Sequence, residues 1–248
     1  ITEAAANTDG LVYLFGVPIR FDSYFPYLIS ASVLLQVTIL PLLGALADYS
    51  RLRKQLLQFF CVLGSIATIG LFFVTPGLHW LGGLLFIIAN VSFGASIVFY
   101  NSYLPNIASE DQRDRVSAFG WAMGYLGGGL LLLFNLLFFQ FSENLGISSG
   151  LAVRINLAPA GLWWLGFSVF TWRRLRSRRP RRELPAQTGY VSAGFQQLKQ
   201  TLREMRHFPQ TVRFLVAYLI YNDGVQTVIA ISAIFGAEEL GLDVGTLS

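Results

Sequence analysis

The sequence contains little charge for its length. Of its 248 residues, 13% are Asp, Glu, Lys or Arg, whereas 54% are hydrophobic. Soluble globular domains carry about 25% charged residues. This composition excludes an ordinary water-soluble domain and indicates a protein whose side chains mostly face lipid or one another.

Cysteine and histidine are almost absent. The single cysteine, Cys61, excludes a disulfide bond within the chain, and its place inside an apolar run indicates a packing role. The two histidines, His79 and His207, lie at the ends of apolar runs with no Ser or Asp arranged around them. We therefore expect no metal site, no cofactor and no nucleophilic catalysis.

Long hydrophobic runs dominate what is present. Apolar runs of about 18–25 residues have the length of a helix that crosses a bilayer. Because hydrocarbon offers the backbone no hydrogen-bond partners, each run is predicted to be helical. Six runs, which we name spans A to F, fit this description: Tyr24–Ala47, Gln55–Val74, Trp80–Leu104, Val116–Phe139, Ile155–Trp172 and Phe214–Phe235. The mixed segment 1–22 is placed outside the membrane, on the extracytoplasmic side.

The positive charges are concentrated in three of the loops between the spans. All of the 18 Lys and Arg residues except Arg20 and Arg154 lie in the A–B, C–D and E–F loops. Basic loops remain in the cytoplasm, so these three loops are predicted to be cytoplasmic. Because the charges flank membrane spans, we expect no nucleic-acid partner.

Residues 173–212, which make up nearly all of the E–F loop, are predicted to be a cytoplasmic basic linker. Its first part, Arg173–Arg182, is an arginine cluster that we expect to contact anionic lipid headgroups. Farther along, apolar residues recur at intervals of three and four and predict an amphipathic helix at the membrane surface: Val191, Phe195, Leu198, Leu202 and Met205. The linker separates a bundle of five spans, residues 23–172, from residues 213–248, which hold the sixth.

Span F contains an ionisable residue well inside an apolar segment. Asp223 lies ten residues past Arg213, about 15 Å along a helix axis and so near the middle of the bilayer. A carboxylate there costs about 2.5–3.5 kcal/mol on insertion scales. We expect it to accept a proton or to pair with a substrate amine, with Asn222 and Gln226 beside it. The alternative is a structural ion pair or a hydrogen bond between helices.

Span C carries Asn90 near its middle and Tyr100 and Asn101 toward its cytoplasmic end. Asn90 and Asn101 are eleven residues apart, which places them on similar faces of a helix. Such residues either line a solute pathway or form hydrogen bonds between helices, and the sequence leaves both alternatives open.

Span D has glycines at four-residue spacing, Gly120, Gly124 and Gly128. A phosphate-binding loop is excluded because no Lys-Ser or Lys-Thr pair follows and the run lies within an apolar segment. Small residues at this spacing allow two helix backbones to approach closely. We therefore predict that this face packs against another helix.

Span A ends in a carboxylate that is followed by cations. The residues in question are Gly44, Asp48, Arg51, Arg53 and Lys54. A charge cluster of this kind can hold one conformation against another, so it is predicted to be a conformational gate. The stretch GALADYSRLRK resembles the signature loop between the second and third helices of the major facilitator superfamily. It departs from that pattern at Arg51, where the superfamily has glycine.

Three further stretches resemble the vacuole-effluxer-like, autophagy-related branch of that superfamily: VFYNSYLPNIAS in span C, VSAFGWAMGYLGGG in span D and YLIYNDGVQTV in span F. The resemblance implies an all-α, polytopic transmembrane helix bundle in which spans A to F are the second to seventh of twelve helices. The first helix and most of the C-terminal half would belong to the remainder of the same polypeptide. Eukaryotic members of the branch are described as exporters of amino acids from the vacuole.

The resemblance also implies that spans C and F line a central cavity. We therefore predict a secondary active transporter that works by alternating access and carries small polar metabolites in or out of the cell, with amino acids as the candidate substrates. The compact arginine-rich loops are more typical of a bacterial protein, so the cytoplasmic inner membrane is the predicted location. The alternatives are a receptor or scaffold that docks partners through its arginine-rich loop, and a membrane-embedded lipid enzyme.

Overall fold

The fold is described from a computed structural model, which covers residues 11–14, 17–75, 77–176 and 189–238. Most of segment 1–22, the arginines from Arg178 to Arg182 and the last ten residues lie outside the described residues. Eight helices are present in the described part: α1 (Phe21–Tyr49), α2 (Arg53–Gly70), α3 (His79–Asn101), α4 (Leu104–Ile107), α5 (Arg113–Phe141), α6 (Ser149–Arg174), α7 (Tyr190–Glu204) and α8 (Pro209–Glu238).

Each predicted span coincides with a long helix, so the all-α membrane bundle predicted from the sequence is confirmed. Among the residues that the structure describes, four stretches are long and apolar enough to cross a membrane: Ser23–Tyr49, Arg53–Phe73, His79–Ile107 and Glu110–Phe141. Helices α6 and α8 occupy spans E and F but are not among these four. Their crossing of the membrane stays a prediction. An integral, multi-pass membrane protein follows from the four that qualify.

A short β-hairpin precedes the first helix, and the sequence pattern did not predict it. Strands β1 (Leu11–Leu14) and β2 (Val17–Arg20) pair antiparallel, with Leu11 opposite Arg20 and Leu14 opposite Val17. The strands are only four residues long, too short to show a reliable alternation of polar and apolar residues. The hairpin leads directly into α1.

The described chain forms two compact units, residues 1–194 and 195–248. In the first unit, α2 packs against both α3 and α6, and α1 packs against α3. Helix α5 contacts α6 over a short stretch only. The second unit contains the end of α7, a turn of 3-10 helix at Met205–His207 and α8.

The first unit has a core cluster at the end of the bundle where α2 begins. It consists of Ala47, Leu57, Cys61, Phe99 and Tyr103. Cys61 is buried here, in the packing environment expected from its apolar surroundings. By contrast, many large apolar side chains on the outside of the helices are exposed. Exposed apolar surface on this scale is what a protein facing lipid or further helices carries.

Glycines bring α2 and α6 into close contact. A Cβ atom added at Gly161 would lie 2.7 Å from the carbonyl oxygen of Ser65 and 3.0 Å from the backbone nitrogen of Ile69. On the facing helix, Gly64 makes room for the indole ring of Trp164. The absence of side chains at Gly64 and Gly161 therefore sets the distance between the two helices.

Replacement of Gly161 by alanine is expected to destabilise the bundle, because backbone atoms of α2 cannot move aside for the new methyl group. Overpacking of this kind costs about 1–3 kcal/mol. We expect a clear fall in the melting temperature of the detergent-solubilised protein. Gly166→Ala, on the same helix with nothing within 4 Å of the added Cβ, is the matched control. Equal melting temperatures for the two variants would contradict the proposed contact.

Candidate functional site

Arg53, the first residue of α2, is buried although it is charged. Its side chain is only 3% exposed. One guanidinium nitrogen, Nη1, donates hydrogen bonds to the carbonyl oxygen of Ser102 at 3.2 Å and to Oδ1 of Asn106 at 3.3 Å. The guanidinium carbon also lies 5.7 Å from the ring centroid of Tyr103, in cation–π geometry. The charge is therefore satisfied by groups at the end of α3 and in α4.

Lys54, the next residue, binds a different helix end. Its Nζ donates a hydrogen bond of 2.7 Å to the carbonyl oxygen of Leu175, the residue that caps the C-terminus of α6. The last carbonyl groups of a helix have no partner within the helix and carry partial negative charge. Arg53 and Lys54 each supply a cation to such a group. We name this set the basic junction: Arg53, Lys54, Ser102, Asn106 and Leu175.

The basic junction places three loops at one end of the bundle. The start of α2, the end of α3 and the end of α6 all meet there. The loops that follow or precede these ends are the A–B, C–D and E–F loops, which the sequence predicts to be cytoplasmic. When successive helices cross a membrane in alternating directions, every second loop lies on the same side, and the shared position of these three loops agrees with that arrangement.

The predicted gate residues are only partly brought together. A Cβ atom added at Gly44 would lie 4.0 Å from Cγ1 of Val98, so α1 and α3 are in ordinary contact there. Asp48 is half-buried, and within the described residues no ion pair joins it to a cation. Arg51 is exposed. The gate at Gly44, Asp48 and the following cations stays a prediction.

The turn between α1 and α2 forms without the glycine of the superfamily pattern. The hydroxyl oxygen of Ser50 accepts a hydrogen bond of 2.8 Å from the backbone N–H of Leu52. A serine side chain can close a turn in this way by replacing a backbone acceptor. Arg51 therefore lies on the outside of a turn that its neighbours close.

Asn90 forms a hydrogen bond between helices, one of the two alternatives that the sequence left open. Its Nδ2 donates to the hydroxyl oxygen of Ser32 on α1 at 2.7 Å. The hydroxyl of Ser32 in turn donates to the carbonyl oxygen of Ile29 at 2.7 Å. Ser32 is fully buried. The amide of Asn90 is thus engaged in joining α3 to α1.

Tyr100 and Asn101, at the end of α3, are both exposed. Tyr100 lines a cleft of about 380 Å³ between α3 and α5, which we name the aromatic cleft. Its lining residues are Phe93, Ile97, Tyr100, Gly120, Trp121, Gly124 and Tyr125. A Cβ atom added at Gly120 would lie 2.8 Å from the hydroxyl oxygen of Tyr100. Gly120 therefore leaves room for the tyrosine side chain.

The other two glycines of the predicted packing face have open space around them. No atom lies within 4 Å of a Cβ added at Gly124 or Gly128, and α5 has no buried residue. Of the three glycines at four-residue spacing, only Gly120 faces a neighbouring side chain in the described part of the chain. Packing of Gly124 and Gly128 against a helix outside the described residues stays a prediction.

Asp223, Asn222 and Gln226 lie on α8 in the second unit. Asp223 and Gln226 are exposed, and Asn222 is partly buried. Among the described residues, none of the three side chains forms a hydrogen bond or an ion pair. Their spacing of three and four residues places them on overlapping faces of the helix. Their role in a pathway stays a prediction.

One polar contact was missed by the sequence reasoning. Nδ2 of Asn135 on α5 donates to the carbonyl oxygen of Asn156 on α6 at 3.2 Å. Nδ2 of Asn156 donates to the carbonyl oxygen of Asn135 at 2.9 Å. Asn135 and Asn156 are both isolated amide side chains within apolar runs, and this feature of the sequence could have indicated a hydrogen bond between helices. This reciprocal pair joins α5 to its neighbour.

In the described ranges, no group of three or more His, Cys, Asp and Glu side chains is placed to hold a metal ion. Glu110, in the turn before α5, and Arg113, the first residue of α5, form an ion pair of 3.5 Å at the surface. The candidate residues of the first unit are therefore the amide, hydroxyl and aromatic groups of α3 and α5 and the cations of the basic junction, and those of the second unit are on the polar face of α8.

Comparison with known proteins assigns the chain to a family. Residues 3–248 match the family model described as vacuole effluxer Atg22 like. The chain belongs to the Atg22-like family. The match covers nearly the whole sequence and includes both the basic junction and the polar face of α8.

Individual relatives of the Atg22-like chain come from bacteria and fungi. An uncharacterised MFS-type transporter YxiO of Bacillus subtilis is 29% identical over 228 residues, covering 91% of this chain and 52% of the relative. Autophagy-related protein 22-1 of Penicillium rubens is 27% identical and covers 94% and 50%. Autophagy-related protein 22 of Yarrowia lipolytica is 28% identical and covers 96% and 52%. The chain thus spans about half the length of these relatives, and no solved structure matches it.

Replacement of Arg53 by glutamine is expected to destabilise the end of the Atg22-like bundle that contains the basic junction. The substitution removes hydrogen bonds from a charged donor, each worth about 1.5–3 kcal/mol, and leaves carbonyl groups without their cation. The melting temperature in detergent should fall, and proteolysis near residues 102–112 should accelerate. Arg51→Gln, an exposed position two residues earlier, should change stability by no more than about 0.5 kcal/mol. Equal melting temperatures and equal proteolysis rates for Arg53→Gln and Arg51→Gln would show that the basic junction does not stabilise the bundle.

Proposed function

We propose that this chain is part of a secondary active transporter that moves small polar metabolites, such as amino acids, across a membrane by alternating access. The observation that supports this proposal is the family match over residues 3–248, whose description names an effluxer. A bacterial relative is named an MFS-type transporter. Because the chain spans about half of its relatives, the remaining half of the polypeptide would complete the solute pathway.

The polar face of α8 is our candidate for the binding of solute or proton. Asp223, Asn222 and Gln226 have no hydrogen-bond or ion-pair partner in the described part of the chain. An unpaired carboxylate in an apolar helix is costly unless it faces a polar cavity or a ligand. The cost is offset if Asp223 pairs with a substrate amine or becomes protonated during the transport cycle.

Helix α3, in the first unit, carries the other residues that we propose for the pathway. Tyr100 and Asn101 keep exposed side chains at the end of α3, and Tyr100 opens onto the aromatic cleft. Asn90 is assigned instead to helix packing, since its amide is bound to Ser32. The pathway residues that we propose are therefore Asp223, Asn222, Gln226, Tyr100 and Asn101.

The basic junction would hold three helices together while the bundles move during transport. Alternating access in transporters with repeated bundles occurs largely through rocking of rigid bundles about a central site. Arg53 and Lys54 join α2 to the ends of α3 and α6, so these three helices would move as one body. We infer that the protein resides in the bacterial cytoplasmic membrane, with the basic loops inside the cell.

Replacement of Asp223 by asparagine tests the proposed pathway. The full-length protein would be reconstituted into proteoliposomes and assayed for uptake of labelled amino acids with and without a proton gradient. Loss of an interaction with a charged group costs about 1.5–3 kcal/mol, which corresponds to roughly a tenfold to hundredfold loss of transport. Asp111→Asn, in an exposed position in the short turn before α5, should retain transport. Unchanged transport in Asp223→Asn would remove this residue from the mechanism, and no transport of any solute would favour the receptor or scaffold alternative.

Cysteine labelling tests the proposed orientation. In a background in which Cys61, the single cysteine of this sequence, and any cysteine in the rest of the polypeptide are replaced by alanine, new cysteines would be placed at Ser192 and Asn144, both exposed positions. A membrane-impermeant maleimide added to intact cells should label Asn144→Cys and spare Ser192→Cys, because basic loops stay inside. In lysed cells both should react. The reverse pattern in intact cells would overturn the orientation.

A further inference from the structure

The end of α7, the turn Met205–His207 and the start of α8 enclose a cleft of about 540 Å³. We name it the elbow cleft. Its lining residues are Leu202, Met205, Arg206, Pro209, Val212 and Arg213. All of them belong to the second compact unit. The cleft combines two guanidinium groups with four apolar side chains.

The two arginines of the elbow cleft are available to a ligand. Arg206 and Arg213 are both exposed, and neither forms an ion pair within the described residues. Glu204 is the one acidic residue between 195 and 213, and its carboxylate already accepts a hydrogen bond of 2.7 Å from Nε2 of Gln200. The positive charge at the cleft is therefore not neutralised by an acidic side chain among the described residues of the second unit.

The apolar residues of the cleft continue into apolar helix surface. Leu202 and Met205 belong to the apolar face of the amphipathic segment, and α8 proceeds from Arg213 into Phe214 and Leu215. A basic amphipathic helix lies at the interface between headgroups and acyl chains. A cleft that joins such a helix to a predicted membrane span would have its arginines at headgroup level.

We propose that the elbow cleft binds the phosphate of an anionic phospholipid. The guanidinium groups of Arg206 and Arg213 hold the phosphate, because their planar forks match its oxygen atoms. The acyl chains lie along Leu202, Met205, Val212 and the start of α8. This site is separate from the Arg173–Arg182 cluster. It depends on α8 crossing the membrane and is independent of whether the protein transports a solute.

The proposal is tested by native mass spectrometry of the full-length protein released from detergent. Phosphatidylglycerol, phosphatidylcholine and inorganic phosphate would each be titrated in turn. The double variant Arg206→Gln/Arg213→Gln is compared with Lys199→Gln/Arg203→Gln, which removes the same charge from α7 outside the cleft. We expect the first variant to lose roughly tenfold or more of its phosphatidylglycerol binding, the change that follows from the loss of charge-assisted hydrogen bonds, and the second to retain it.

Further arms decide between the sources of the phosphate. Inorganic phosphate should neither bind with the same arginine dependence nor displace phosphatidylglycerol; either result would assign the cleft to a free anion and overturn the lipid. Equal binding of phosphatidylcholine would show that the cleft does not select an anionic lipid. Equal losses in the two double variants would show that any removal of positive charge weakens binding. Either result would also overturn the proposal. Arg213→Lys keeps the charge without the fork and should show intermediate binding. If the double variant fails to fold, the same comparison is made with Arg213→Lys alone.

Discussion

The architecture depends on the absence of hydrogen-bond partners in hydrocarbon. Backbone groups are satisfied inside helices, and the polar groups that remain must find one another. The structure meets this requirement most clearly at the ends and in the middle of the first unit. Arg53 and Lys54 satisfy carbonyl groups at the ends of α3 and α6, and Asn90 reaches Ser32 across the α1–α3 contact. These bonds hold helices that weak apolar attraction alone would leave free to slide in lipid.

The polar residues within the apolar runs consequently fall into two groups. Asn90, Asn135 and Asn156 are engaged with a neighbouring helix, and each fixes one contact between two helices. Asp223 and its neighbours on α8 have no such partner among the described residues. A residue whose bonds are complete stabilises the bundle, whereas one whose bonds are open can bind a solute. This distinction is the physical basis for our proposal that α8 carries pathway residues.

The sequence was sufficient to predict the helices because length and apolarity directly reflect the thickness of the bilayer. It could not decide the role of Asn90, since helical spacing indicates a face and not the residue opposite to it. The Asn135–Asn156 pair was missed for the same reason: each amide is unremarkable until the partner helix is known. The sequence also grouped Asp48 with Arg53 from proximity in the chain, whereas the structure directs Arg53 to Ser102 and Asn106. The partners of Arg53 are therefore set by contacts between helices that are distant in the sequence.

The basic residues show why charge counting predicts orientation but not function. The positive-inside rule treats Arg53 and Arg206 alike. Arg53 is buried and bound by helix ends, so its charge is used within the protein. Arg206 is exposed beside an apolar cleft and has no anionic partner in the described region, so its charge is directed outward. A guanidinium at the start of a helix is unfavourable with respect to that helix's own dipole, and α2 tolerates Arg53 because the carbonyl ends of a neighbouring helix offset the cost. At the elbow cleft, no acidic side chain among the described residues forms an ion pair with Arg206 or Arg213, and this is why we propose an anionic ligand there.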